Sequence, residues 1–201
     1  MINNFSILRP LFTFDSSDDF YHVQVIKRVE DHLELTNEII VRSYYIKSIK
    51  DFEFLMEEIS NLCLLHNARA YVDIFSKSFE NVTYQVLKRL SEYILSKSFK
   101  KTANIYDTVC GETSNHKNKW MIEINWDDSE PRFGEPLITP VIIDLVTKLQ
   151  KEIRDEVLVV VLPSNKGVKL ITRSFNREAL RIAYPNIRIL YKFPPITLYA
   201  N

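Results

Sequence analysis

Residues 119–126 read KWMIEINW, a stretch in which side chains of two kinds alternate along the chain. Successive side chains of a β-strand point to opposite faces, so this alternation predicts a strand with two different faces. One face carries Trp120, Ile122, Ile124 and Trp126. The other face carries Met121, Glu123 and Asn125. We expect the first face to pack in a core and the second to carry polar groups.

Helical and strand patterns alternate on both sides of this stretch. Apolar residues recur at helical spacing from Ile49 to Cys63 and from Val82 to Ile94, and shorter patterns predict further helices. These shorter helices cover about 100–109, ending near Gly111 as a C-cap, then 140–152 and 176–184. The remaining apolar stretches predict strands at 20–29, 38–46, RAYVDIFS, EVLVVVL, GVKLITRSF, NIRIL and ITLY. The first two strands form a hairpin.

This alternation predicts an α/β (α+β) fold with a mixed β-sheet flanked by helices. The length of 201 residues fits one domain over 1–201, with 1–37 as an N-terminal strand extension. A hydrophobic fraction of 46% excludes a disordered chain, and no apolar run reaches the roughly 18 residues of a membrane span. No membrane partner is expected. The N-terminus lacks the pattern of a secretory signal, which predicts a cytoplasmic protein.

Few residues of the chain form recognisable chemical motifs. The three glycines are scattered singly, which excludes the Gly-rich phosphate loops of P-loop and Rossmann proteins. Cys63 and Cys110 lack the spacing of a zinc site, and the four histidines are widely separated. We therefore predict core or loop thiols, no histidine-centred active site and no required cofactor.

Several carboxylates leave two interpretations open. Glu123 and Asn125 share a strand face, where two oxygen ligands could hold Mg²⁺ or Mn²⁺, but a solvated face is the commoner arrangement. Asp127, Asp128 and Glu130 follow at once, either as metal ligands or as an exposed acidic loop. A metal site would use Glu123 and Asp127. Asp73 is either a buried functional acid or a residue that faces water.

The C-terminal fifth of the chain is basic. Residues 163–201 contain seven Lys or Arg and one acid, Glu178, which gives a net charge of +6 for this segment and −6 for the rest. The basic residues are Lys166, Lys169, Arg173, Arg177, Arg181, Arg188 and Lys192. Lys169 and Arg173 share a strand face, and Arg177 and Arg181 share a helix face. Such a cluster suits phosphate recognition, and Tyr191, Phe193 and Tyr199 could stack on bases. A solvated surface with core aromatics is the alternative.

The order of several segments resembles a small bacterial and phage branch of the archaeo-eukaryotic primase superfamily. The segments are RSYYIKS, NARAYVDIFSKSFENV, IYDTVCGETSN, IEIN, LPSNKGVKLIT and NIRIL followed by P-x-T-L-Y. The resemblance covers most of the chain from about residue 40. It implies a primase-like fold, in which an acid-x-acid strand binds metal, a histidine contacts phosphate and a last strand adds another acid.

This chain departs from the family at all three elements. Glu123 and Asn125 stand at the acid-x-acid pair, Lys169 at the histidine, and Arg188, beside Asn186, at the last acid. Two-metal nucleotidyl transfer needs anionic ligands, so the departures predict a protein that is not an active nucleotidyltransferase. We expect a degenerate primase-like domain whose basic cleft binds nucleic acid or nucleotide phosphates through Lys166, Lys169, Arg173, Arg177 and Arg188.

Two other functions fit the same residues. One is a protein-interaction module, a phage or bacterial regulator or inhibitor that binds a host protein without binding nucleotides. The other is a residual enzyme in which Asp127 or Asp128 joins Glu123 as a substitute metal ligand. The primase-like hypothesis makes a geometric prediction, because it requires Glu123, Asn125, Lys169 and Arg188 to lie on adjacent strands.

Overall fold

A computed structural model describes residues 1–113, 119–125, 135–164, 167–185, 187–190 and 195–200 of the 201-residue chain. For residues 125, 135–139, 163, 164 and 167 it describes the backbone only. The chain forms two compact units. The outer unit comprises Met1–Asn115 and Pro194–Asn201, and the inserted unit comprises His116–Phe193.

The outer unit is built on a six-stranded sheet. Its strands are β1 (Ile2–Asn3), β2 (Asp19–Lys27), β3 (Ile39–Ile46), β4 (Arg69–Val72), β5 (Lys77–Ser78) and β10 (Ile196–Ala200). Their order is β1-β10-β4-β2-β3, and β5 pairs with the start of β2. The predicted β2–β3 hairpin is confirmed, with a register shift that leaves Val41 without a partner on β2. β2, which lies within 1–37, occupies the sheet between β3 and β4.

The described residues of this unit also form four helices and short 3-10 turns. They are α1 (Phe5–Leu8), α2 (Ile49–His66), α3 (Phe79–Leu95) and α4 (Ile105–Glu112). Ser48 and Ser78 cap the two long helices, since each side chain accepts a hydrogen bond from the backbone N–H three residues later. Asn67 ends α2 in the left-handed conformation with φ 46°, a conformation that asparagine tolerates better than most residues.

The core of the outer unit is rich in aromatic side chains. The ring of Phe52 on α2 lies 5.6 Å from that of Phe5 and 4.6 Å from that of Phe12. Phe12 in turn packs edge-on against Tyr21 of β2 at 4.5 Å. These rings are almost completely buried. The N-terminal residues therefore contribute to the core that α2 and β2 share.

In the described residues of the inserted unit, two helices cover a four-stranded sheet. Its elements are β6 (Lys119–Asn125), α5 (Glu135–Lys151), β7 (Val159–Ser164), β8 (Gly167–Arg173), α6 (Arg177–Ala183) and β9 (Arg188–Leu190). The strand order is β7-β8-β6-β9. Ile122 and Leu170 on one sheet face pack with Val146 of α5 and Leu180 of α6. This is the core face that the alternation in residues 119–126 predicts.

The α+β class is confirmed, and the predicted helices α2, α3 and α6 are present. The expected mixed sheet is divided into two sheets, and every pairing between described strands is antiparallel. Gly111 lies inside the last turn of α4 and does not end it, because the chain becomes extended only at Thr113. Pro140 stands inside α5, which begins at Glu135. No described helix has the length and apolar character needed to span a bilayer.

Candidate functional site

Glu123 lies between two cationic side chains on neighbouring strands. It is the direct cross-strand partner of Lys169 on β8 and of Arg188 on β9. Lys169 Nζ is 3.6 Å from Glu123 Oε1, and Arg188 Nη1 is 3.5 Å from Glu123 Oε2. The predicted placement of Glu123, Asn125, Lys169 and Arg188 on adjacent strands is confirmed, since Asn125 also lies on β6. We call Glu123, Lys169 and Arg188 the Glu123 cluster.

Burial differs within the Glu123 cluster. The Glu123 side chain is only 13% exposed, whereas Lys169 is 32% and Arg188 69% exposed. The carboxylate therefore lies deeper than the cations that flank it. Both cation–carboxylate distances exceed the 2.7–2.9 Å that is typical of charge-assisted hydrogen bonds, so these are loose ion pairs. The outer sides of Lys169 and Arg188 remain accessible to an anion from solvent.

A second pair of cations lies four residues further along the same sheet face. Lys119 of β6 is the cross-strand partner of Arg173 of β8. Like charges directly opposite each other in a ladder destabilise the pairing, and Glu156 offsets this with a 2.7 Å ion pair to Arg173. Sequence reasoning missed Lys119, because only the antiparallel register places it beside Arg173.

Apolar side chains separate the two cationic rows. Met121 and Ile171 are cross-strand partners between the rows, and both are fully buried. The centre of the face is thus apolar, and its charged groups lie on either side of this centre. The rows are four residues apart on each strand, which is roughly 13 Å.

Arg177 does not join this face, contrary to our expectation. It lies on α6, whose Leu180 packs with Ile122 and Leu170 against the opposite face of the sheet. Successive side chains of β8 point to opposite faces of the sheet, so Leu170 points to that face and Lys169 points away from it. Arg177 and Arg181 do share one side of α6, where both lie within 3.5 Å of Glu178.

The basic segment is also less unbalanced than its sequence suggests. Its cations pair with acids from outside 163–201, since Glu123 comes from β6 and Glu156 precedes β7. Lys166, Asp127, Asp128, Glu130 and Asn186 lie outside the described residues, as do Tyr191, Lys192 and Phe193. Asn125 ends β6 opposite Gly167, and its side chain is outside the description.

The surroundings of Glu123 do not suit a divalent cation. Each of its carboxylate oxygens already faces a positive charge, and a metal ion would meet the repulsion of both. Within the described ranges, no group of three His, Cys, Asp or Glu side chains could hold a metal ion. The predicted second ligand, Asp127, lies outside those ranges.

A separate polar cluster lies in the outer unit. The Nε2 of His22 is 3.2 Å from Asp107 Oδ1, and the Tyr45 hydroxyl donates to the same oxygen at 2.8 Å. The hydrogen bond from His22 is the main reason that the pKa of Asp107 lies below its usual value, with Tyr45 and Ser43 adding to it. An ionised carboxylate only accepts, so His22 carries its proton on Nε2. Sequence reasoning missed this cluster, whose members are far apart along the chain.

Asp73, for which the sequence allowed either a buried functional acid or a residue that faces water, is the counterion of a buried lysine. Lys77 is fully buried, and its Nζ donates to Asp73 Oδ2 at 2.6 Å and to the Thr113 carbonyl at 2.5 Å. Asp73 is partly buried, and its other carboxylate oxygen accepts from the Phe75 backbone N–H. These contacts give Asp73 a structural role.

No protein-family model matches the chain, and no curated protein or solved structure is significantly similar to it.

Proposed function

We propose that this protein binds a phosphate-bearing ligand, single-stranded nucleic acid or a nucleotide, on the sheet face that carries Lys169, Arg173 and Arg188. The observation that carries the proposal is the convergence of Lys169 and Arg188 on Glu123 from two different strands. This places two accessible cations around one point, as the recognition of a phosphate group requires. The resemblance to primases adds that Lys169 replaces a phosphate-contacting histidine.

A phosphate would compete with Glu123 for the two cations. The existing ion pairs are loose, and at least one side of each cation faces solvent, so a phosphate oxygen can bind without displacing buried groups. Arg173 in the second row is four residues from Lys169 on β8, roughly 13 Å along the strand, which is beyond the phosphate chain of one nucleotide. Two cationic rows at this spacing thus favour an oligonucleotide, whose successive phosphates can reach both, over a nucleotide or a single inorganic phosphate.

The same geometry disfavours nucleotidyl transfer. That reaction needs anionic ligands that hold metal ions against the triphosphate. Both carboxylate oxygens of Glu123 already pair with cations. Arg188 places a positive charge where the primases that this chain resembles have an acid. We therefore propose a degenerate primase-like domain without polymerising activity. Magnesium- or manganese-dependent primer synthesis that disappears in Glu123→Ala would contradict this.

Salt-dependent binding tests the phosphate proposal. Fluorescence anisotropy with a fluorescein-labelled oligothymidylate should show affinity that falls as salt rises, because each phosphate contact releases counterions. Lys169→Gln, Arg173→Gln and Arg188→Gln should each flatten the log–log salt slope by about 0.7 per lost contact for a single strand.

The matched control is Lys97→Gln combined with Lys100→Gln, which removes two exposed cations from the outer unit. It should leave the slope unchanged. Equal losses in the control and in Lys169→Gln with Arg188→Gln would mean diffuse attraction only, and the proposed site would be rejected. No binding of oligothymidylate or ATP at low salt would reject phosphate binding altogether.

A protein-interaction module is the second candidate, favoured by an exposed apolar stripe on α3. Tyr84, Leu87, Ile94 and Leu95 recur at spacings of three, seven and one, which places them on one side of the helix. All four are more than half exposed. Exposed apolar patches of this kind mark interaction surfaces more often than chance. Leu87→Lys with Leu95→Lys should abolish a specific complex recovered from cell lysate and leave oligothymidylate binding unchanged.

A further inference from the structure

The outer sheet has an accessible edge along β3. The strand order ends at β3, which pairs with β2 on one side and with no described strand on the other. A groove of about 480 Å³ follows this edge, lined by residues 38–43 together with Asp107 of α4 and Asn104, which precedes α4. We propose that this groove, the β3-edge groove, binds an extended peptide of another protein that places an arginine or lysine against Asp107. This is independent of the phosphate proposal.

The backbone of β3 provides the first part of the fit. An edge strand presents a row of N–H and C=O groups to which an extended peptide can add as a further strand. Ile39 and Ile40 point to alternate faces of this edge, and both are more than 40% exposed. Apolar side chains of an added strand would cover them, as happens between cross-strand neighbours in a sheet.

Asp107 provides the second part. Its carboxylate lines the groove and is held from within by His22 and Tyr45, with a further hydrogen bond from Ser43. These donors fix the carboxylate on one side, and the side chain remains one-quarter exposed. A carboxylate has about four acceptor positions, so one more donor can be accommodated.

The charged side chains that line the groove favour a basic partner. Glu38 pairs with Arg28 at 2.7 Å, and Arg42 pairs with Glu58 at 2.7 Å, so both of these groove residues are balanced inside the chain. Within the described residues, neither lysine nor arginine pairs with Asp107. The charge that the groove offers to a ligand is therefore negative, and an arginine or lysine complements it.

The irregularity at Val41 favours a short peptide over a second copy of this chain. Val41 has no partner on β2, and such a bulge in an edge strand twists it away from regular pairing with another sheet. A flexible peptide of a few residues can adapt to this bend, whereas a second copy would bring a strand fixed in its own sheet.

The test uses the whole protein, labelled with ¹⁵N, and a heptapeptide that alternates threonine and valine around a central arginine. Saturable chemical-shift changes should appear at residues 39–43, Asn104 and Asp107. A peptide with citrulline in place of the arginine should bind about tenfold more weakly, because citrulline keeps N–H donors but lacks the positive charge that strengthens the hydrogen bond to Asp107. A peptide N-methylated at alternate residues should not bind, because it cannot add to the edge.

Asp107→Asn should reduce the affinity for the arginine peptide to that of the citrulline peptide, while the exposed-acid control Glu92→Gln should not. Equal affinity for arginine and citrulline peptides in the unaltered protein would overturn the role of Asp107 even if Asp107→Asn failed to fold. Absence of saturable shifts at 1 mM peptide would overturn the proposal. So would a dimer in sedimentation that Ile40→Lys dissociates, because a second copy would then occupy the edge.

Discussion

Glu123→Gln replaces the carboxylate between Lys169 and Arg188 by a neutral amide of nearly the same shape. In the unaltered protein, a phosphate must compete with this carboxylate for both cations. Each pair is partly exposed and longer than a hydrogen bond, and such pairs contribute about 0.2–1 kcal/mol. Removing both ion pairs should therefore strengthen phosphate binding by about 0.5–2 kcal/mol, which is roughly 2- to 30-fold in affinity.

The same substitution should lower the stability of the inserted unit. Lys169 and Arg188 would then lie on either side of β6 with no acid between them, and the loss of two partly exposed ion pairs costs about 0.5–2 kcal/mol. Thermal unfolding and oligothymidylate anisotropy on the same samples separate the two effects. We expect a lower midpoint of unfolding together with tighter binding, a combination that a damaged fold does not produce.

Glu123→Asp is the matched control, because it keeps the charge and shortens the side chain by one methylene. It should bind oligothymidylate no more tightly than the unaltered protein. If Glu123→Gln binds with unchanged or lower affinity while it remains folded, phosphate does not bind at Lys169 and Arg188. The proposal that these two residues form the site would then be wrong.

Three further predictions concern the outer unit. Lys77→Met leaves the Asp73 carboxylate without its buried counterion and should cost about 3–5 kcal/mol in urea unfolding; a loss below 1 kcal/mol would contradict the buried ion pair. Burial raises the pKa of the Cys110 thiol to about 12, so iodoacetamide should modify it only after unfolding, as followed by mass spectrometry. The hydrogen bond from His22 is the main cause of the lowered pKa of Asp107, so the ionised carboxylate should stabilise the folded protein above the ordinary pKa of 3.8. This contribution to stability should be lost as the pH falls below 3.8. The difference in melting temperature between the unaltered protein and Asp107→Asn should shrink below pH 4, and a constant difference would refute this.

Sequence patterns predict most of the helices and strands because apolar residues recur at regular helical or strand spacing over long stretches of the chain. The helix from Ile49 and the hairpin of β2 and β3 are examples. The division of strands between two sheets could not be predicted, because the alternation in a strand indicates its faces and not its neighbours. The sequence predicted a helix that begins at about residue 140, but α5 begins at Glu135 and contains Pro140. Ile142 and Val146 of α5 are buried, and this burial outweighs one lost backbone hydrogen bond.

The candidate site was partly predictable. The assignment of Glu123, Lys169 and Arg188 to three neighbouring strands came from the resemblance, and the register confirms their adjacency. The pairing of these cations with Glu123 was not predictable from the net charge of the basic segment, because this acid comes from another part of the chain. Asp107 lacked a local motif, since its partner His22 is 85 residues away.

The first and last strands of the chain are neighbours in the outer sheet. Ile2 of β1 lies opposite Ala200 of β10, and β10 also pairs with β4. During synthesis, this sheet therefore remains incomplete until residues 196–200, which pair with β4, have left the ribosome. Paired residues of antiparallel strands are roughly 5 Å apart, so a short linker could join these two strands. The chain could then be reopened at a new position, which would change the order in which the sheet is assembled and leave its pairing intact.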